Sequence, residues 1–149
     1  MEMSKNSLVR SSMLLGVVAA VFISALPSAV YGGPEASDSI TGIVWKWQQT
    51  LYNNDQKAAP DDSSRYTIVF QPDGSLNIRA DCNRAGGKYT LQKKTLTIEV
   101  THSTRAACPP DSLEQIFLKN LNSAAIYFMR KGHLYIDLKY DTGTMKFAK

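Results

Sequence analysis

From Ile43 to the C-terminus the chain breaks into short runs in which apolar and polar residues alternate, most of them closed by a turn signal. Alternation with a period of two makes a strand with one buried face, and short connections make successive strands antiparallel neighbours. Residues 43–51 (IVWKWQQTL) place Ile43, Trp45 and Trp47 on one face. Residues 66–71 and 75–80 flank Pro72-Asp73-Gly74, where proline presets φ and glycine accepts a positive φ. Leu76 and Ile78 then face inward. A second hairpin joins 88–92 to 95–100 across Lys93-Lys94, and strands at 125–130, 133–140 and 144–148 follow. Residues 52–64 and 81–87 (DCNRAGG) read as polar loops, with Gly86-Gly87 as a turn. The prolines of 101–110 make that stretch irregular.

One segment carries the helical period instead. Asp111 is a favoured N-cap residue, and Glu114 completes a capping-box spacing. Leu113, Ile116, Phe117, Leu121 and Ala124 then recur on one face as a core stripe. The expected fold is mainly β (α+β). About eight antiparallel strands form a small barrel-like sheet, with one helix after the fifth strand. Closing such a meander removes its exposed edges, and the helix covers or plugs an opening.

The 149 residues are 44% hydrophobic and 20% charged, which fits one soluble globular domain. Residues 1–32 have the form of a secretory signal: Lys5 and Arg10 precede an uncharged apolar run at 13–26, then Pro27 and small residues. That run is shorter than the roughly 20 residues that span a bilayer. Cleavage after Ala29 or Gly32 is expected, with an uncleaved anchor as the alternative. Residues 33–39 are then a flexible lead-in and 40–149 the folded domain. The leader region has no cysteine for lipid attachment, so a periplasmic or secreted monomer with no stable membrane span is expected. The chain is mildly basic at +4, which favours anionic surfaces. Its basic residues are dispersed, so nucleic acid is not an expected partner.

Cys82 and Cys108 are the only cysteines. In an oxidising compartment an even pair is most simply one disulfide, worth roughly 3.5 kcal/mol through loop closure. A thiol nucleophile or a metal ligand is the alternative, but His102 and His133 stand at no recognised metal spacing from either cysteine. A bridge would staple two loops, one with Asp81, Asn83 and Arg84 and the other with His102, Thr104 and Arg105. Two guanidinium groups beside an amide suit carboxylate, phosphate or peptide contacts. The competing reading has Asp81 and Asn83 capping local backbone while the arginines are solvated.

The run Asp81-Cys82-Asn83-Arg84-x-x-Gly87-x-Tyr89, with Leu96-x-Ile98 and Thr104-x-Ala106-Ala107-Cys108, resembles the META domain family. The likeness continues through Phe117, Leu121, Tyr127, Leu134-x-Ile136 and Gly143-x-Met145-x-Phe147. Trp45, Trp47 and the Phe70-x-x-Asp73-Gly74 turn also fit, so it spans about residues 40–149. The chain departs from the pattern in carrying Arg79, Ala80 and Asp81 where members often have a glycine before the first cysteine. The resemblance implies a compact barrel-like fold with one helix, in envelope or surface proteins, and no established catalytic chemistry.

No nucleophile elbow, paired metal-binding histidines or phosphate loop stands in the sequence, so neither a catalytic nor a metal or cofactor site is assigned. A non-catalytic envelope protein acting by binding or stress-related protection is expected, its partner an unknown envelope protein or glycan. The alternatives are a carrier of a small apolar ligand or a small periplasmic inhibitor of a hydrolase. An eight-stranded barrel just encloses one small ligand, but Trp45, Trp47, Phe70, Phe117, Tyr127 and Phe147 are available to fill it.

Overall fold

A computed structural model describes residues 39–149. The expected signal segment and most of the lead-in lie outside the described residues.

The strands are β1 (Val44–Tyr52), β2 (Lys57–Ala58), β3 (Tyr66–Phe70), β4 (Ser75–Ala80), β5 (Asn83–Gln92), β6 (Thr95–Ser103), β7 (Ala124–Arg130), β8 (His133–Leu138) and β9 (Gly143–Ala148). Helix α1 (Glu114–Asn122) lies between β6 and β7. Each long strand pairs antiparallel with its successor, and β9 returns to β1, so eight strands close a barrel. The two-residue β2 pairs with the far end of β1 and falls within the expected 52–64 loop. Closure gives β1 neighbours on both sides, β9 over 46–52 on one and β3 at 44–46 with β2 at 50–51 on the other, so no long edge remains there. The weakest seam is β6–β7, with the single pair Thr95↔Ile126 and, beside it, the Tyr127 N–H donating to the Lys94 carbonyl at 2.9 Å.

The inward residues of the strands form one apolar core. Trp45, Trp47, Ile68, Phe70, Leu96, Leu134, Ile136, Met145 and Phe147 are all fully buried. The helix adds Phe117 and Leu121. Phe117 stacks on Trp47 with centroids 5.1 Å apart and meets Tyr66 edge-on at 5.7 Å. It thereby seals the barrel end where β1 finishes and β3 begins. Such aromatic pairs contribute about 1 kcal/mol each beyond the area they bury.

Four local expectations are corrected. The alternation of β1 slips at a bulge between Trp47 and Gln49, which turns Thr50 inward and leaves Leu51 half exposed. The buried Thr50 hydroxyl accepts from the Trp47 indole N–H at 3.1 Å. Second, residues 81–87 are not a loop: the chain reverses at Asp81-Cys82, and Asn83 already opens β5. Gly86 and Gly87 lie inside that strand, Gly86 beneath the His102 ring and Gly87 against the backbone of β6. A Cβ on Gly86 would sit 2.5 Å from the His102 ring, and one on Gly87 would collide with the Glu99 carbonyl. Third, β6 runs on to Ser103, past the expected end at residue 100.

The fourth concerns the helix start. Leu113 holds the N-cap position with no side-chain cap, and Asp111 lies outside the helix. The free Leu113 N–H donates instead to the Tyr66 hydroxyl at 2.9 Å. Glu114 is drawn away by a partner 31 residues back, described below. Ile116, expected in the core stripe, is partly exposed, whereas the polar Asn120 is buried.

Candidate functional site

The barrel end sealed by α1 is where the two cysteines meet. Cys82, in the β4–β5 turn, is bonded to Cys108 in the long β6–α1 connection, with Cα atoms 5.5 Å apart. Asn83 follows Cys82 directly and is 1% exposed. Its Oδ1 accepts from the Thr104 hydroxyl at 2.7 Å and from the Ala106 N–H at 2.8 Å. Its amide nitrogen donates to the Ala106 carbonyl at 3.1 Å and to Glu114 Oε1 at 3.0 Å. One side chain thus fills its hydrogen-bonding capacity and joins a strand, a loop and a helix. Because one of these acceptors is a carboxylate, that bond is of the stronger, charge-assisted kind.

Asp81 is also buried, and it forms an ion pair with Arg65. Its main-chain N–H donates to the Arg65 carbonyl at 2.7 Å. Asp81 and Asn83 are therefore internal braces. The local capping weighed for them is not what they do: the Asp81 carboxylate meets the Arg65 guanidinium, and Asn83 bonds the backbone of Ala106, 23 positions away.

The exposed candidates are Arg84, Thr104 and Arg105. Thr104 is tied in: its hydroxyl also accepts the Arg84 N–H at 3.0 Å. The two guanidinium groups, expected side by side, line different hollows. Arg105 borders a groove of about 650 Å³ between β6 and α1, whose walls include Thr101, His102, Gln115 and Leu118. Arg84 lies on the outer sheet face opposite Arg79, its cross-strand partner, with Thr67 and Asn77 beside them. His102 covers Gly86 and its Nδ1 lies 3.1 Å from the Thr101 hydroxyl.

A second buried polar group escaped the sequence reading. Asn120 of α1 donates to the Tyr52 hydroxyl at 2.8 Å and to Thr50 at 3.2 Å, fastening the helix to β1. A polar residue on an apolar stripe was the only available signal. Among the described residues no group of three or more His, Cys, Asp or Glu side chains is placed to hold a metal.

Residues 38–149 match the family model of the META domain. The chain belongs to the META domain family. Two solved structures share the fold. An NMR structure of a protein from Burkholderia xenovorans is 20% identical, with a TM-score of 0.61, and the match covers 73% of this chain and 82% of that one. A crystal structure of a DUF4847 family protein from Bacteroides vulgatus is 16% identical, with a TM-score of 0.54, covering 73% and 93%. No curated protein matches the chain. The META barrel described here therefore shares its architecture with proteins of very different sequence.

Proposed function

We propose that this META domain is a non-catalytic binding module of the cell envelope, and that the groove between β6 and α1 is its recognition surface. The observation that carries the reading is the double brace beneath the groove. The Cys82–Cys108 bridge and the saturated Asn83 fix the loop that presents Arg105. A preorganised rim loses little entropy on binding, which is how a modest surface gains affinity. Arg105 offers a planar fork of donors to a carboxylate or phosphate, while Leu118 and Val100 supply apolar wall. An envelope protein segment or an acidic glycan has that chemistry. The periplasmic or secreted location rests on the form of residues 1–32.

Carriage of an apolar ligand inside the barrel has less support, because Trp45, Trp47, Phe70, Phe117 and Phe147 fill interior positions with no exposed surface. The test is capture from envelope extract with wild-type protein beside Arg105→Ala and Arg84→Ala as separate variants. A partner held by wild type and Arg84→Ala but lost by Arg105→Ala is expected. Loss with Arg84→Ala alone would move recognition to the outer sheet face. A partner retained equally by all three would place it away from both arginines.

A further inference from the structure

In an antiparallel meander the connections alternate between the two ends of the barrel. The β3–β4, β5–β6 and β7–β8 turns therefore share the end opposite α1, together with the C-terminus. That end is basic. Its exposed residues include Lys93 and Lys94 in one turn, Arg130 and Lys131 at the next, and the terminal Lys149. The one acidic side chain in these turns is Asp73, whose carboxylate accepts from the Ser75 N–H and hydroxyl at 2.9 and 2.7 Å. The acidic residues Asp55, Asp61, Asp62, Asp111 and Asp141 lie in the connections at the other end.

The β7–β8 hairpin adds an aromatic flank to the basic end. Phe128 and Tyr135 are cross-strand partners whose rings stack 5.1 Å apart and nearly parallel, at 4°. Leu134 and Ile136 on either side of Tyr135 are fully buried, so this pair faces outward. Ile126, two residues along on the same face of β7, is 47% exposed, and Lys146 is the partner of Tyr135 on β9. Past the single Thr95↔Ile126 bridge, residues 128–130 have a strand neighbour on the β8 side alone. The hairpin tip thus projects beyond the β5–β6 turn.

We propose that this end of the barrel docks peripherally on an anionic phospholipid bilayer, with the Lys93-Lys94 and Arg130-Lys131 turns on the headgroups and the Phe128–Tyr135 pair at the interface. The projecting β7–β8 tip and the basic β5–β6 turn set back beside it present their charges on the same end of the barrel, outside any groove. Aromatic rings beside Lys and Arg are the residue types that settle at a bilayer–water boundary. The two rings stack on each other, so one face of each is already covered. Each Lys or Arg near an anionic surface is expected to raise partitioning about fivefold.

The test uses residues 36–149, which contain the whole closed barrel and its core and omit the apolar run at 13–26. Co-sedimentation is measured with phosphatidylcholine vesicles containing or lacking phosphatidylglycerol, at low and at physiological salt. Binding only to the anionic vesicles, weakened by salt, is expected. The Lys94→Gln/Arg130→Gln/Lys131→Gln variant should lose about a hundredfold, on the per-charge scale above. Phe128→Thr/Tyr135→Thr should lose severalfold while keeping its salt dependence. A control removing the same charge at the other end, Lys57→Gln/Lys119→Gln/Lys139→Gln, should bind as wild type. No binding to anionic vesicles at low salt would overturn the proposal. So would equal losses from the two triple variants, since net charge and not this end would then drive adsorption. Binding of a single-stranded oligonucleotide without vesicle binding would assign the basic end to a different partner.

Discussion

The two ends of the barrel solve the same problem by different means. At the α1 end the chain must cross from β6 to the helix through residues 104–113, a connection with no ladder of its own. Side chains supply what a ladder would. Asn83 bonds both main-chain groups of Ala106, Tyr66 caps Leu113, Asn120 ties the helix to Thr50 and Tyr52, and a disulfide closes the loop. At the basic end the β5–β6 and β7–β8 reversals take only two residues, and Lys93 and Lys131 simply adopt positive φ, 58° and 52°. Those turns are satisfied by the strands they join. The contrast teaches where this fold tolerates change: the braced end depends on a few buried polar residues, while the basic end is free to carry whatever charge its surroundings reward.

The comparison is broken most directly by removing the braces. Cys82→Ala/Cys108→Ala should lower unfolding free energy by about 3.5 kcal/mol in urea titrations under oxidising conditions, the loop-entropy value for a closure of this length. Asn83→Ala should cost about 3 kcal/mol with the disulfide intact, because several buried partners lose their bonds at once. If Asn83→Ala cost under about 1 kcal/mol, the disulfide alone would be holding the loop, and the account of Asn83 as the hub would fall.

These braces were only half legible in the sequence. The alternating pattern carried the strands, their order and the inward Trp45, Trp47, Leu76 and Ile78, because burial of one face is written locally with a period of two. The disulfide followed from the count of cysteines. What local pattern could not show were tertiary choices. Glu114 stands at the spacing of a capping box, but the buried Asn83 amide offers it a bond, and the N-cap residue Leu113 has no capping side chain of its own. Gly86 and Gly87 look like turn residues because the other reasons for glycine, the His102 ring over Gly86 and the β6 backbone against Gly87, depend on a partner segment. The β1 bulge likewise shifts Thr50 inward against the run of alternation. Of the candidate site, the exposed Thr104 and Arg105 reach the groove as the stapled-loop reading implied, whereas Arg84 turns onto the sheet face.

At the basic end the expected effects are smaller and one has the opposite sign. Lys93→Gly should raise stability by about 0.5 kcal/mol, since relief of the left-handed conformation exceeds glycine's greater unfolded-state entropy. Denaturant midpoints of the variant and wild type check this. Destabilisation would mean that the lysine side chain, not just the backbone, contributes to the turn.

The smallest effect belongs to Tyr89, which secures the β3–β4 turn at the same end. Its hydroxyl donates to the Gln71 carbonyl at 2.7 Å, its N–H donates to the Gly74 carbonyl at 2.9 Å, and its ring meets Phe70 edge-on. Burial pushes its phenol above the ordinary value of 10.0, and the nearby Asp73 carboxylate acts in the same direction. The neutral form is therefore favoured by folding, so this contribution is fully present below pH 10 and fades as pH rises through the higher folded value. Tyrosinate absorbance should lose a late-titrating component in Tyr89→Phe, and Asp73→Asn should bring that component to slightly lower pH. Asp73 itself is held below its usual 3.8 by its bonds to Ser75, so its stabilisation is lost only in acid. The β3–β4 turn thus loosens at both extremes of pH. If Tyr89→Phe removes amplitude only near the ordinary phenol range and not from the late part of the titration, the hydroxyl is solvated and the turn is held by its backbone bonds alone.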